Sequence, residues 1–406
     1  MIKKILHTSD WHIGRRLKNH ERHEEFKKFF EWLEDIIKSE NIDALLVAGD
    51  IFDNTTPGAK AQDIYYSFLS QIAKSNCRHV IIISGNHDSP AFIDAPKDLL
   101  KLFKIHVVGL ACENPEDEVL ILNDEADNPE LIVCAVPYLR ERDVRTLRAS
   151  DDADDIENSL IKGIENHYEK VFARAATCLR QANIPVIAMG HLFAKGGKVN
   201  NGDGVRSLYV GTAVEVGADI FPDFLTYTAL GHLHSPQKIL RKNIRYSGAP
   251  LVMDFGELNQ EKAVNILELD GENLINIKEI PVPVFQRLER IKGNLDEISS
   301  QLEKFAALNE SIWLDIIYTG DEAPGDLQEE ISNFVKDKKL LEVLSIRDES
   351  KFTNGKIDGE IPKTLENFSP VEMFEICLDN KNIPKSQQKI FMPMYREILE
   401  ELGVRS

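Results

Sequence analysis

Five short clusters of metal-ligating side chains constrain this chain more than any other feature. They are Asp10-Trp11-His12, Gly49-Asp50-Ile51-Phe52-Asp53, Gly85-Asn86-His87-Asp88, Gly190-His191 and Gly231-His232-Leu233-His234. Each follows a short apolar, β-branched run: residues 4–8, 44–48, 80–84, 186–189 and 224–230 read as buried strands. Ligands of α/β folds bind beyond the carboxyl ends of strands. Five strand ends bearing Asp, Asn or His therefore converge on one pocket. The flanking glycines suit the sharp turns that aim those side chains inward. A single D-x-H or G-H pair carries little weight; the ordered set of five is hard to produce by chance. Six further histidines (His7, His20, His23, His79, His106 and His167) lie outside the clusters and read as ordinary core or surface residues.

Between the strands, residues 21–39, 59–74, 91–102 and 156–181 carry helical periodicity. Residues 131–136 read as another strand, and 238–246, 263–269 and 274–280 continue the strand pattern. The expected class is α/β, a four-layer α-β-β-α arrangement over residues 1–281 with sheets inside and helices outside. Pro281-Val282-Pro283 marks a boundary. Residues 282–350 then read β-α-β-α-β, a small α+β domain. Residues 351–367 are a polar linker, and 368–406 hold two C-terminal helices, the first opened by a capping box at Ser369. The acidic stretch 113–130, free of Lys and Arg, reads as a solvated loop. The Gly-rich stretch 195–206 reads as a mobile connection.

Composition narrows the function. The net charge of −19 argues against a broad basic nucleic-acid or membrane-surface binder. The longest apolar runs are too short to span a bilayer. Five cysteines without a C-x-x-C pair suggest reduced thiols and a cytoplasmic protein, and the N-terminus does not read as a signal peptide.

Asp10, His12, Asp50, Asn86, His191, His232 and His234 are too many ligands for one ion. They suit two ions sharing a bridging carboxylate. Oxygen and imidazole donors without cysteine favour Mn²⁺, Fe²⁺ or Zn²⁺, with Mg²⁺ also open. Two such metals clamp an in-line phosphoryl displacement and lower the pKa of a bridging water. His87 is left over, the natural candidate to protonate the leaving oxygen or steady charge on the phosphate. The segment 14–22, with Arg15, Arg16 and Lys18, is net basic and can reach phosphates beside the scissile one.

The ordered set D-x-H, G-D-x-x-D, G-N-H-D, G-H and G-H-x-H resembles the calcineurin-like metallophosphoesterase superfamily. Residues 5–14, 86–90 and 231–237 sharpen this towards the SbcD family of nuclease subunits, over roughly residues 1–280. The resemblance implies that Asp10, His12, Asp50 and His234 hold one Mn²⁺, and Asp50, Asn86, His191 and His232 the other. Asp88, directly after His87, reads as a structural turn residue; the resemblance implies an Asp53–His87 dyad and places Ser89 with Arg15, Arg16 and Lys18 among the DNA contacts. It makes residues 282–350 a capping domain that positions DNA. It makes the tail a docking segment for an SbcC-type ATPase, through Phe374, Leu378, Phe391, Tyr395, Leu399 and Leu402. It further implies a homodimer through helices near 59–74 and 91–103. There Ile64, Phe68, Leu69, Ile72, Leu99, Leu100 and Phe103 serve a dimer or ordinary core packing almost equally well. The implied activity is double-strand exonuclease and single-strand or hairpin endonuclease, under ATP control, in DNA repair, recombination and replication. A phosphatase or small-molecule phosphodiesterase on the same fold is the alternative. Asn54-Thr55, however, stands where protein phosphatases carry Arg-Gly.

Overall fold

The computed structural model describes residues 2–144, 153–180, 183–198, 214–320 and 326–350 (backbone only for 153–157), with Phe374, Leu378, Met392 and Tyr395. The chain divides into two compact units, Met1–Asp348 and Glu349–Ser406.

In the first unit, Lys4–Thr8, Ala44–Ala48, His79–Ile83 and Ile105–Val108 pair in parallel. Ala263–Asp270 returns antiparallel beside Lys4–Thr8, and Asn273–Pro281 forms the edge of this six-stranded sheet. A second six-stranded sheet is built on Pro129–Ala135, Val186–His191, Tyr227–Gly231 and Arg241–Tyr246, again parallel. Val119–Asn123 and Gln237–Ile239 close its edges antiparallel. Strand side chains alternate between faces. Leu45 and Val47 therefore meet the helices His23–Ser39 and Ala59–Ile72, while Ala44, Leu46 and Ala48 meet the second sheet. The helix Ala153–Leu179 covers the outer face of that second sheet. This is the four-layer sandwich, and its central strands are apolar throughout because both faces are covered.

Three local expectations fail. Residues 238–246, expected as one strand, form two, Gln237–Ile239 and Arg241–Tyr246, which pair antiparallel about Leu240 at φ 52°. Residues 91–102 form two short helices, Pro90–Asp94 and Lys97–Lys101, because Pro96 lacks an amide proton and caps the second. The acidic stretch 113–130 is not a solvated loop. It holds the Val119–Asn123 strand, and Glu118 and Glu130 are buried. Glu118 accepts from His167 at 2.8 Å, and Glu130 from His79 at 3.0 Å. Glu130 also pairs with Arg78 at 2.9 Å, so both carboxylates find partners distant in sequence.

Arg287–Gly293, Ile312–Tyr318 and Leu341–Asp348 form a parallel three-stranded sheet with the helices Leu295–Ala306 and Leu327–Val335. Asn294 and Glu297 make a reciprocal capping box at the first of these helices. This body packs on the larger one where Leu17, Phe255 and Leu288 meet. His20 adds a ring contact to Trp313 at 5.7 Å. The basic hairpin after the first cluster is thus anchored on the smaller body.

In the second unit, the rings of Phe374 and Tyr395 stack with centroids 4.0 Å apart, and Leu378 is buried. Phe391, Leu399 and Leu402, the linker and most of the Gly-rich stretch lie outside the described residues. Among the described residues, no helix is long and apolar enough to cross a membrane.

Candidate metal centre

The first two clusters are tied together by their backbones. Asp10 N–H donates to Gly49 C=O at 3.0 Å, and His12 N–H to Asp50 C=O at 2.9 Å. Asp10, His12, Asp50 and His232 all sit at positive φ, 52°, 48°, 50° and 107°. Such conformations cost about 1–3 kcal/mol each in non-glycine residues and gather at functional sites. Glycine is required at Gly231, where a Cβ would collide with the Ala48 carbonyl oxygen and crowd His191. Asp88 holds the loops together: its carboxylate accepts the N–H groups of Gly85 (2.8 Å), Phe52 (2.9 Å) and Ile51 (3.1 Å). Its surroundings are those of the turn residue.

All seven predicted ligands come together. Nε2 of His12 lies 3.1 Å from Nε2 of His234 and 3.6 Å from Asp50 Oδ2. Nε2 of His191 lies 3.4 Å from the same Asp50 oxygen and 3.0 Å from Asn86 Oδ1. That Asn86 oxygen also lies 3.0 Å from His232 Nδ1. Asp50 thus stands between two half-clusters, one with Asp10, His12 and His234, the other with Asn86, His191 and His232. The six charged or imidazole members are buried.

The outward-facing atoms orient the inner ones. His191 Nδ1 donates to the Ala48 carbonyl at 2.9 Å, and His234 Nδ1 to Glu257 at 3.0 Å, which turns each Nε2 toward the cluster. Burial presses His12 well below its ordinary value and His232 down to about 3, so both are neutral and able to ligate. Burial also opposes charge on Asp50 and His191. Their mutual attraction prevails, holding Asp50 well below the carboxylate range and His191 up near 9. Burial likewise opposes charge on Glu257, but His234 and Lys262 keep it ionised.

Imidazole nitrogens in contact with one another and with carboxylate oxygens, in a buried cluster free of sulfur, fit divalent cations. A cation would satisfy lone pairs that otherwise face each other.

His87 stands at the edge of the cluster, its ring 4.8 Å from that of His12. Its amide donates to Asp50 Oδ1 at 2.8 Å. The expected dyad takes a different form. Nδ1 of His87 is held by the backbone carbonyl of Asp53 at 2.9 Å, while the Asp53 carboxylate turns to Arg15 at 2.9 Å and His12 Nδ1 at 3.6 Å. Arg15 draws that carboxylate away. The carbonyl can only accept, so Nδ1 carries the proton and Nε2 is the atom available to a substrate.

The predicted DNA contacts are each engaged within the chain. Arg15 pairs with Asp53, Arg16 with Glu21 at 3.1 Å and Lys18 with Asp254 at 3.6 Å. Ser89 caps the helix Pro90–Asp94 by accepting Phe92 N–H at 3.4 Å. Sequence reasoning missed Glu257, Lys262 and Arg140. No spacing rule marks them, because each meets the site only through folding.

The fold and this cluster define a metal-dependent phosphoesterase. The model of the calcineurin-like phosphoesterase family matches residues 3–257, and that of the type 5 capsule protein repressor C-terminal domain matches residues 284–382. The D subunit of the SbcCD nuclease of Escherichia coli K12 is 31% identical over 403 residues, covering 98% of each chain. Its counterpart in Rhodobacter capsulatus is 34% identical, covering 75% of this chain and 76% of its own. Among solved structures, a dimetal phosphatase from Danio rerio is similar over 70% of this chain and 99% of its own, at 11% identity and a TM-score of 0.38. The chain belongs to the SbcD family of calcineurin-like phosphoesterases.

Proposed function

We propose that this chain is the nuclease subunit of an SbcCD-type complex and hydrolyses DNA phosphodiester bonds. The observation that carries the reading is the convergence of seven oxygen and imidazole donors beside His87, in a chain alignable to a nuclease subunit over almost its whole length.

Asp10, His12, Asp50 and His234 would hold one Mn²⁺, and Asp50, Asn86, His191 and His232 a second. Bound there, the pair supplies hydroxide near neutral pH and charge for the phosphate. The remaining work falls to the chain. Asp50 faces both half-clusters, and Glu257 and Ala48 fix the ligand histidines. His87, entering as the doubly protonated imidazolium, gives its Nε2 proton to the departing oxygen and keeps its Nδ1 proton on the Asp53 carbonyl. Arg15, Arg16 and Lys18 leave their carboxylate partners for DNA phosphates, and Ser89 adds a further contact. Such exchange makes affinity for DNA modest and salt-sensitive.

In this reading residues 1–281 are the nuclease domain and 282–350 the cap, which reaches the basic hairpin through Trp313 and Leu288. Residues 351–367 form the linker, and 368–406 dock on an SbcC-type ATPase that controls cutting by ATP hydrolysis. Cutting includes double-strand exonuclease and hairpin endonuclease activity, in cytoplasmic DNA repair, recombination and replication. Two copies pair through the segment after the third cluster. Leu99, Leu102 and Phe103 are exposed there, whereas Ile64, Phe68, Leu69 and Ile72 are spent on the core.

The test is cleavage of hairpin and blunt-ended DNA in Mn²⁺, with and without the ATPase, beside turnover of a cyclic nucleotide. DNA cutting stimulated by the ATPase is expected. Turnover of the cyclic nucleotide alone would replace this reading with the small-molecule one.

A further inference from the structure

The rim of the cluster carries a fourth cation, and its situation differs from the other three. Arg140 is partly buried, and its Nη2 donates to the backbone carbonyl of Asp88 at 2.9 Å. Its guanidinium carbon lies 5.8 Å from the Tyr138 ring centroid, and that ring lies 6.1 Å from the ring of His191. These contacts fix Arg140 between the loop of Asn86 and His87 and the strand that ends in His191.

No carboxylate among the described residues lies within ion-pair distance of this guanidinium. Arg15, Arg16 and Lys18 all have such a partner. Arginine does not shed its proton at physiological pH. The carboxylates of Asp143, which accepts the Arg140 backbone N–H at 2.9 Å, and of Asp88 act on this charge without pairing with it, and a partly desolvated guanidinium that lacks an ion-pair partner gains when an anion arrives. One of its five N–H groups is used on the Asp88 carbonyl and the others remain, in the planar fork that matches two phosphate oxygens.

We propose that Arg140 is a DNA-binding residue that grips a backbone phosphate flanking the scissile one, on the side of the site where His191 lies. The inference rests on the nuclease reading. Arg15 stands beside His12 and Arg140 stands near His191. A strand laid across both half-clusters meets a cation at each end. The Asp88 carbonyl and the Tyr138 ring pre-orient the guanidinium, so little rotamer freedom is lost on binding.

The experiment compares Arg140→Gln and Arg140→Lys with the unsubstituted protein in Mn²⁺, on a single-stranded oligonucleotide and on bis(p-nitrophenyl) phosphate. The second substrate is a diester without flanking phosphates. Arg140→Gln is expected to lower kcat/KM on the oligonucleotide about 10- to 100-fold, the range for hydrogen bonds to a charged group. Its loss on bis(p-nitrophenyl) phosphate should be at least tenfold smaller. The slope of log affinity for DNA against log salt should fall by about one in Arg140→Gln and return in Arg140→Lys, which keeps the charge. Equal losses on both substrates, or a loss of bound Mn²⁺, would mean that Arg140 only braces the Asp88 loop, and the proposal falls. Unchanged DNA cleavage and salt slope also overturn it. If the unsubstituted protein turns over bis(p-nitrophenyl) phosphate but no DNA, the nuclease reading fails first.

Discussion

Glu257 grips His234 from behind the candidate metal cluster. One carboxylate oxygen accepts His234 Nδ1–H at 3.0 Å; the other takes Lys262 Nζ at 2.7 Å and the Met253 amide at 2.9 Å. Outer carboxylates of this kind fix a ligand imidazole's tautomer and raise its basicity, and losing one typically weakens metal binding 10- to 100-fold. Glu257→Gln should therefore weaken Mn²⁺ affinity by about that factor, read by calorimetric titration. Wild-type affinity in this variant would show that the contact is packing alone.

His87 meets the cluster through its amide and ring edge, and its imidazole stands with His12 and Asp53 within 4.8 Å, but the proposed seven-ligand set does not use that imidazole. His87→Ala should cut DNA about 10²- to 10⁴-fold more slowly. Metal content by mass spectrometry should stay at the wild-type value. Full cleavage by this variant would remove His87 from the proton transfer.

Asp88 accepts three backbone N–H groups inside the protein. Asp88→Ala leaves them without this acceptor, at roughly 1–3 kcal/mol for each group left unsatisfied. Chemical denaturation should show a loss on the order of 3 kcal/mol or more, and metal binding should fall with it. A loss of activity at unchanged stability would instead give Asp88 a direct chemical role.

His7 is fully buried against the Tyr227 hydroxyl at 3.0 Å, and burial lowers its pKa to about 3. The folded protein keeps it neutral, while the unfolded chain takes up a proton below about 6.5. Its contribution is constant above that value and turns destabilising as the pH falls towards 3. By linkage this amounts to about 2 kcal/mol between pH 7 and pH 5. His7→Asn should flatten the pH dependence of unfolding by about that amount. An unaltered slope would place the acid sensitivity elsewhere.

Leu99, Leu102 and Phe103 are 61%, 78% and 55% exposed, an apolar patch of the kind that marks an interface. Leu102→Asp with Phe103→Asp should convert a dimer to a monomer in light scattering at micromolar concentration. A wild-type protein already monomeric at that concentration would refute pairing through this patch.

The sequence by itself determined the strands that end in the five clusters and the seven candidate ligands. Strand ends carrying Asp, Asn or His are local signals: an apolar run, a glycine turn and a donor within a few residues. The stripe Phe26, Phe29, Phe30, Leu33 and Ile37 likewise announced its helix and its buried face. Tertiary structure decided what those side chains meet. Glu118 and Glu130 looked solvated because their partners, His167 and His79, lie 49 and 51 residues away. Pro96 split a continuous apolar pattern, because periodicity does not register a missing amide proton. Asp53 was expected at His87 by its carboxylate and meets it by its carbonyl, since Arg15 competes for the charge. Glu257, Lys262 and Arg140 have no motif. Their roles come from where folding leaves a charge, beside a partner or without one, and that depends on contacts no local pattern encodes.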